Sequence, residues 1–86
     1  MYTDRTAEQV ANLCHNIAYL RRRHGLTKKE MALTLGIGVR SLSLIEDGRL
    51  PRNLGLMQVL LAAHIFGVSV KRLFRCRLDA ENCPEP

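Results

Sequence analysis

Eighty-six residues, 47% hydrophobic and 24% charged, describe one domain whose core is assembled from a few elements. A chain of this size buries only about 60% of the surface its unfolded form exposes, which excludes a large multidomain enzyme and argues against a deep substrate cleft. The net charge of +5 is unevenly held: between residues 21 and 77 twelve Lys/Arg face only Glu30, Glu46 and Asp47, whereas 1–20 and 78–86 are both net acidic. A positive field confined to the middle of the chain is the pattern of a polyanion-facing surface, the bland alternative being solubility alone. Two Tyr, two Phe and no Trp leave no platform for stacking single-stranded bases, so a nucleic-acid partner is expected to be duplex.

The chain reads as helices from end to end. Thr6 with Gln9 forms a capping-box pattern, and Val10, Leu13, Cys14, Ile17 and Leu20 recur at helical spacing, predicting a first helix over about 7–24 closed by Gly25. Thr27 with Glu30 repeats the capping box and opens a second helix, with Met31, Ala32 and Leu35 inward and Gly36 as its stop. After the plug Ile37 and the permissive Gly38, a third helix runs from Val39 to about Asp47, burying Leu42 and Ile45 and ending at Gly48. Two short helices joined by so tight a turn form a helix-turn-helix at about 28–47. A loop with Arg49, Pro51 and Arg52 leads to a fourth helix over about 56–66, with Leu56, Val59, Leu60, Ala63 and Phe66 inward and Gly67 as its stop. Ser69 caps a fifth helix over about 70–75. No run alternates apolar and polar residues with β-branched enrichment, so the expected fold is an all-α five-helix bundle over 1–77, followed by an acidic, flexible tail over 78–86.

The stretch Ile17–Phe74 resembles the phage-repressor (Cro/repressor, or xenobiotic-response-element) helix-turn-helix family. The resemblance is carried by Ile17, Leu20, Arg21, Gly25, Leu26 and Thr27, then by Ala32, Leu35, Gly36 and Ile37, then by Leu42, Ser43, Ile45, Glu46 and Gly48. It continues in one register through Val59, Leu60, Ala62, Ala63, Phe66, Gly67, Val68, Ser69, Val70, Leu73 and Phe74. It implies a lambda-repressor-like bundle and a bidentate structural salt bridge between Arg21 and Glu46, tying the first helix to the end of the third. Ala32 is small where the second and third helices cross.

In a helix-turn-helix the second helix of the motif enters the major groove by its N-terminal part, which selects Val39, Arg40, Ser43 and Leu44 as base-contact candidates. Arg40 is the strongest, since its planar fork matches guanine O6 and N7; a phosphate contact and a merely solvated side chain are its alternatives. Val39 suits a thymine methyl, and Leu44 stands where the family usually has a polar residue. Lys28, in the family's usual glutamine position, joins Lys29, Gly38, Arg49, Arg52 and Asn53 as phosphate candidates flanking the groove, with solvated surface as the bland reading of each.

Met57, Leu61 and Ile65 make a second apolar stripe on the fourth helix. A helix apolar on nearly all sides is expected to be covered on nearly all sides, by a second copy in a homodimer or by the chain's own termini.

Cys14 beside His15, and Cys76 with Cys83, lack a C-x-x-C pair or a close histidine pair, so neither a metal site nor a cofactor is expected. No nucleophile, base and orienting acid form a set, and an enzyme is not expected. The absence of a charged-then-apolar leader and the sparse cysteines fit the cytoplasm, and the apolar stretch 54–70, interrupted by Gln58 and His64, falls short of the roughly 20 residues a membrane span requires. The sequence therefore predicts a stand-alone transcriptional regulator, a repressor binding double-stranded DNA as a homodimer. The alternative is a protein-binding adaptor or antitoxin-type module that uses the apolar face of the fourth helix on a protein partner.

Overall fold

The computed structural model of the protein describes residues 4–80. Five helices follow in order: α1 (Asp4–Arg23), α2 (Lys28–Leu35), α3 (Val39–Glu46), α4 (Leu56–Phe66) and α5 (Val70–Arg75), with no strand among the described residues. The expected all-α architecture is the observed one. α1 packs on α3 and α5, α2 on α3 and α4, and α4 on α5. Ile17 and Leu20 of α1, Met31 and Leu35 of α2, Leu42 and Ile45 of α3, Val59 and Ala62 of α4 and Leu73 of α5 fill a single core.

Local chemistry sets most of the boundaries. Thr27 Oγ1 accepts the Glu30 N–H at 3.1 Å while Glu30 Oε1 accepts the Thr27 N–H at 2.8 Å, so both arms of the α2 capping box are made. Ser69 Oγ accepts the Arg72 N–H at the start of α5. α2 ends on Gly36 at φ 72°, a left-handed conformation costly for a residue with a Cβ. There the Ile37 and Gly36 N–H groups return to the Ala32 and Leu33 carbonyls, and Ile37 packs on the core. Gly48 closes α3 in the same way, but the residue after it is Arg49, which is exposed instead of plugged inward.

Two sequence expectations are corrected. α1 begins at Asp4, so Thr6 lies within its first turns and is not its cap; no Gly or Pro in the stretch preceding Gln9 stops the helix from extending. On α4, Leu56 and Leu60 do not face the core: they are 71% and 44% exposed, and Val59, Ala62 and Ala63 do the burying, with Leu61 and Phe66 half-buried. The paired alanines let α4 lie close to its neighbours, and a helix apolar everywhere but Gln58 and His64 carries little periodic signal of which face turns inward.

Of the segment expected to be a flexible tail, Leu78 and Asp79 are fastened to α1, and 81–86 lie outside the described residues. Asn16, fully buried, donates its amide to the Leu73 and Cys76 carbonyls at 2.9 and 2.8 Å and accepts the Leu78 N–H at 2.8 Å. Asn12 donates to the Phe74 carbonyl at 3.0 Å. Two asparagines of α1 thus cap the orphan carbonyls at the end of α5, and His15 Nε2 adds a 2.9 Å hydrogen bond to Asp79 Oδ1. That contact holds the Asp79 carboxyl below its usual range.

Candidate nucleic-acid interface

One guanidinium ties the end of α3 to α1 and to the turn before α2. Arg21 Nε donates to Glu46 Oε2 at 2.6 Å and Nη2 to Glu46 Oε1 at 3.1 Å, while Nη1 donates to the Leu26 carbonyl at 3.0 Å. The two side chains are only 16% and 6% exposed. The Glu46 hydrogen bonds raise the Arg21 pKa further, against the opposing effect of burial. Arg21 therefore joins α1, the turn into α2 and the last turn of α3 in one half-buried, charge-assisted fork.

The open end of α3 projects from this frame. Its cap, Gly38, sits in extended backbone and has no side chain to close the first turn, leaving backbone N–H groups available to an anion. Val39 and Arg40 follow directly and are exposed, and among the described residues Arg40 makes no hydrogen bond or ion pair. Ser43 and Leu44, one turn on, are half-buried. Ser43 Oγ accepts from Lys28 Nζ at 3.4 Å, so a base-contact candidate and a phosphate candidate meet across the α2–α3 crossing.

Lys28 and Lys29 on one side and Arg49, Arg52 and Asn53 on the other are all exposed. The acids on the same elements differ in how far they offset that charge. Glu46 is neutralised by Arg21 and Glu30 is held in the α2 cap, where the Thr27 backbone and side-chain bonds keep its pKa below the ordinary value. Asp47 is exposed like Glu30, but its carboxylate has no hydrogen bond or ion pair among the described residues. Lys28, Lys29, Arg49 and Arg52 are exposed cations on the motif and the loop after it, and the first turn of α3 offers backbone donors. They include no nucleophile with an activating base. The Cys14 thiol is buried, and that burial pushes its pKa up, away from reactivity. Cys76 is disulfide-bonded. Among the described residues no group of three His, Cys, Asp or Glu is placed to hold a metal ion.

The apolar candidates are only partly brought together. Met57 and Ile65 are 65% and 46% exposed, but Leu61 is half-buried, and the open surface of α4 is completed by Leu56 and Leu60. Sequence reasoning also passed over Ser41. Its hydroxyl donates to Asn53 Oδ1 at 2.9 Å, linking α3 to the loop that follows it. The available signal was a serine next to Arg40 on a helix whose inner face was already filled by Leu42 and Ile45.

A short α2–turn–α3 pair locked at a fixed crossing, with a cationic rim and an open helix end, defines a DNA-binding helix-turn-helix domain. The chain matches the helix-turn-helix family over residues 17–73 and belongs to it, in its Cro/repressor-type branch. That family supports DNA binding and transcription regulation. Neither a curated protein nor a solved structure gives a significant match. No helix among the described residues is long and apolar enough to cross a membrane.

Proposed function

We propose that the protein is a sequence-specific transcriptional repressor of the cytoplasm that binds double-stranded DNA as a homodimer, with α3 in the major groove. The observation that carries this reading is Arg40: an unpaired, exposed guanidinium one residue into the recognition helix, on a helix anchored at its other end by Arg21–Glu46. Its fork suits guanine O6 and N7, with Val39 beside it suited to a thymine methyl. Lys28, Lys29, Arg49, Arg52 and Asn53, with the Gly38 backbone, supply phosphate contacts on both sides of the groove. Two such units about 34 Å apart would read a near-palindromic site, and the uncovered Leu56, Met57, Leu60 and Ile65 supply the apolar surface for pairing. Occupying an operator excludes other proteins from it, which makes repression the simplest outcome.

The test is selection of binding duplexes from a random pool with wild type and Arg40→Ala, followed by titration at several salt concentrations. Wild type is expected to enrich a near-palindromic motif. Arg40→Ala should lose about 1–3 kcal/mol of discrimination at one position of each half-site, and log K should fall linearly with log salt. Enrichment of no motif, with both proteins binding only at low salt and equally well, would reject the sequence-reading function.

A further inference from the structure

We propose that Ser41 is a positioning residue for DNA binding: its hydroxyl fixes the orientation of the Asn53 carboxamide so that the amide nitrogen, not the carbonyl oxygen, meets a DNA phosphate. The inference rests on the DNA-binding reading above and names a residue that the reading does not use.

Asn53 lies in the loop between α3 and α4 and is exposed, and its Oδ1 accepts the Ser41 hydroxyl at 2.9 Å. A phosphate oxygen accepts hydrogen bonds and cannot donate them. A carboxamide carries an acceptor on one arm and two donors on the other, so its usefulness to a phosphate depends on which arm is turned outward. With Oδ1 engaged by Ser41, the acceptor arm is satisfied within the protein, and among the described residues Nδ2 has no partner. A serine inside a helix commonly turns its hydroxyl back to the carbonyl four residues earlier; here it bonds across to the loop. The bond spans twelve residues of sequence and links the reading helix to a loop that also carries Arg49 and Arg52. The loop after α3 flanks the groove in this motif, so the orientation is set before DNA arrives and the cost of ordering the side chain on binding falls.

The experiment is a double-mutant cycle on the whole chain, titrating wild type, Ser41→Ala, Asn53→Ala and the double variant. Ser41→Thr serves as the conservative replacement. Each is measured on the duplex that wild type enriches and, at low salt, on a mixed-sequence duplex. Asn53→Ala is expected to weaken binding about fivefold on both duplexes, as for one lost hydrogen bond to a charged group. Ser41→Ala should weaken it about threefold on both. The double variant should be no weaker than Asn53→Ala, Ser41→Thr should bind like wild type, and none of the four should change the salt slope, since no charge is altered.

Additive losses in the double variant would overturn the proposal, as would a Ser41→Ala loss confined to the selected duplex, which would make Ser41 a base reader. So would wild-type affinity in Ser41→Ala. If wild type binds neither duplex the DNA-binding reading itself falls and this inference with it, a result visible in the wild-type titration alone and distinct from a failed cycle.

Discussion

At the residue scale the molecule depends on single side chains that serve several elements at once. Arg21 is the clearest: three of its nitrogens are used, and Glu46, its partner, is 6% exposed. Replacing Glu46 by Ala would strand a half-buried guanidinium, at a cost of about 3 kcal/mol, less than for a fully buried pair because Arg21 retains some water. Replacing both, as Arg21→Met with Glu46→Leu, removes the charge together with its desolvation penalty and should recover most of that loss. Denaturant unfolding of the two variants checks this; equal destabilisation of both would mean that the pair is worth its full Coulombic attraction. Arg40, by contrast, is exposed and makes no hydrogen bond or ion pair among the described residues, and this is why it is legible from sequence. An arginine at the start of a helix whose inner positions were already assigned has only outward directions left. Ser41 was not legible, because its partner Asn53 is reached only through the path of the loop.

At the scale of elements, what could be read was punctuation. Thr27, Glu30, Gly36, Ser69 and Gly67 carry local hydrogen-bond and backbone requirements, so α2 begins and ends, α4 ends and α5 begins where those residues stand. The start of α1 lies ahead of the expected cap because a capping pattern at Thr6 is compatible with a helix that simply continues past it. The asparagine clamp on α5 was invisible, since Asn16 and its backbone partners are about sixty residues apart and no side-chain chemistry marks a carbonyl. A helix of six residues has too few internal bonds to hold alone, so α5 depends on that clamp. Asn16→Ala leaves two carbonyls and one N–H without their partner and should cost about 2–4 kcal/mol. Amide hydrogen exchange should show the α5 protons opening well before those of α1 and α3; uniform loss across all helices would argue against a local role.

The α2 capping box makes a pH prediction of its own. The folded-state pKa of Glu30 lies below its ordinary 4.5, so the stability it adds is fully present above pH 4.5 and is lost as the pH falls through the depressed value. Glu30→Gln can still accept the Thr27 N–H but does not titrate. Its stability should decline less than that of wild type below pH 4.5, with Asp79→Asn as the control for the other depressed carboxyl. Parallel decline of wild type and Glu30→Gln would show that the cap's charge contributes nothing.

At the scale of the whole molecule, charge and apolar surface make opposite demands on salt. Duplex affinity depends on cations replacing the counterions of DNA and should fall as salt rises. The proposed pairing of two protomers through Leu56, Met57, Leu60 and Ile65 would bring together two chains of net charge +5 and should strengthen as salt screens their repulsion. Leu60 tests the pairing with little risk to the fold, since it is 44% exposed and outside the core cluster. Leu60→Glu is expected to keep the helical content and unfolding midpoint of wild type while sedimentation equilibrium shows a single protomer. Its affinity for a two-half-site duplex should drop by about 10²-fold, because the second half-site no longer binds at the effective concentration set by the first. On a duplex holding one half-site the variant should bind as wild type does, a comparison that separates lost pairing from damage to the DNA-facing surface. A protomer mass for wild type, or a dimer mass for Leu60→Glu, would mean that α4 does not pair two copies, and its four exposed apolar side chains would then need another partner.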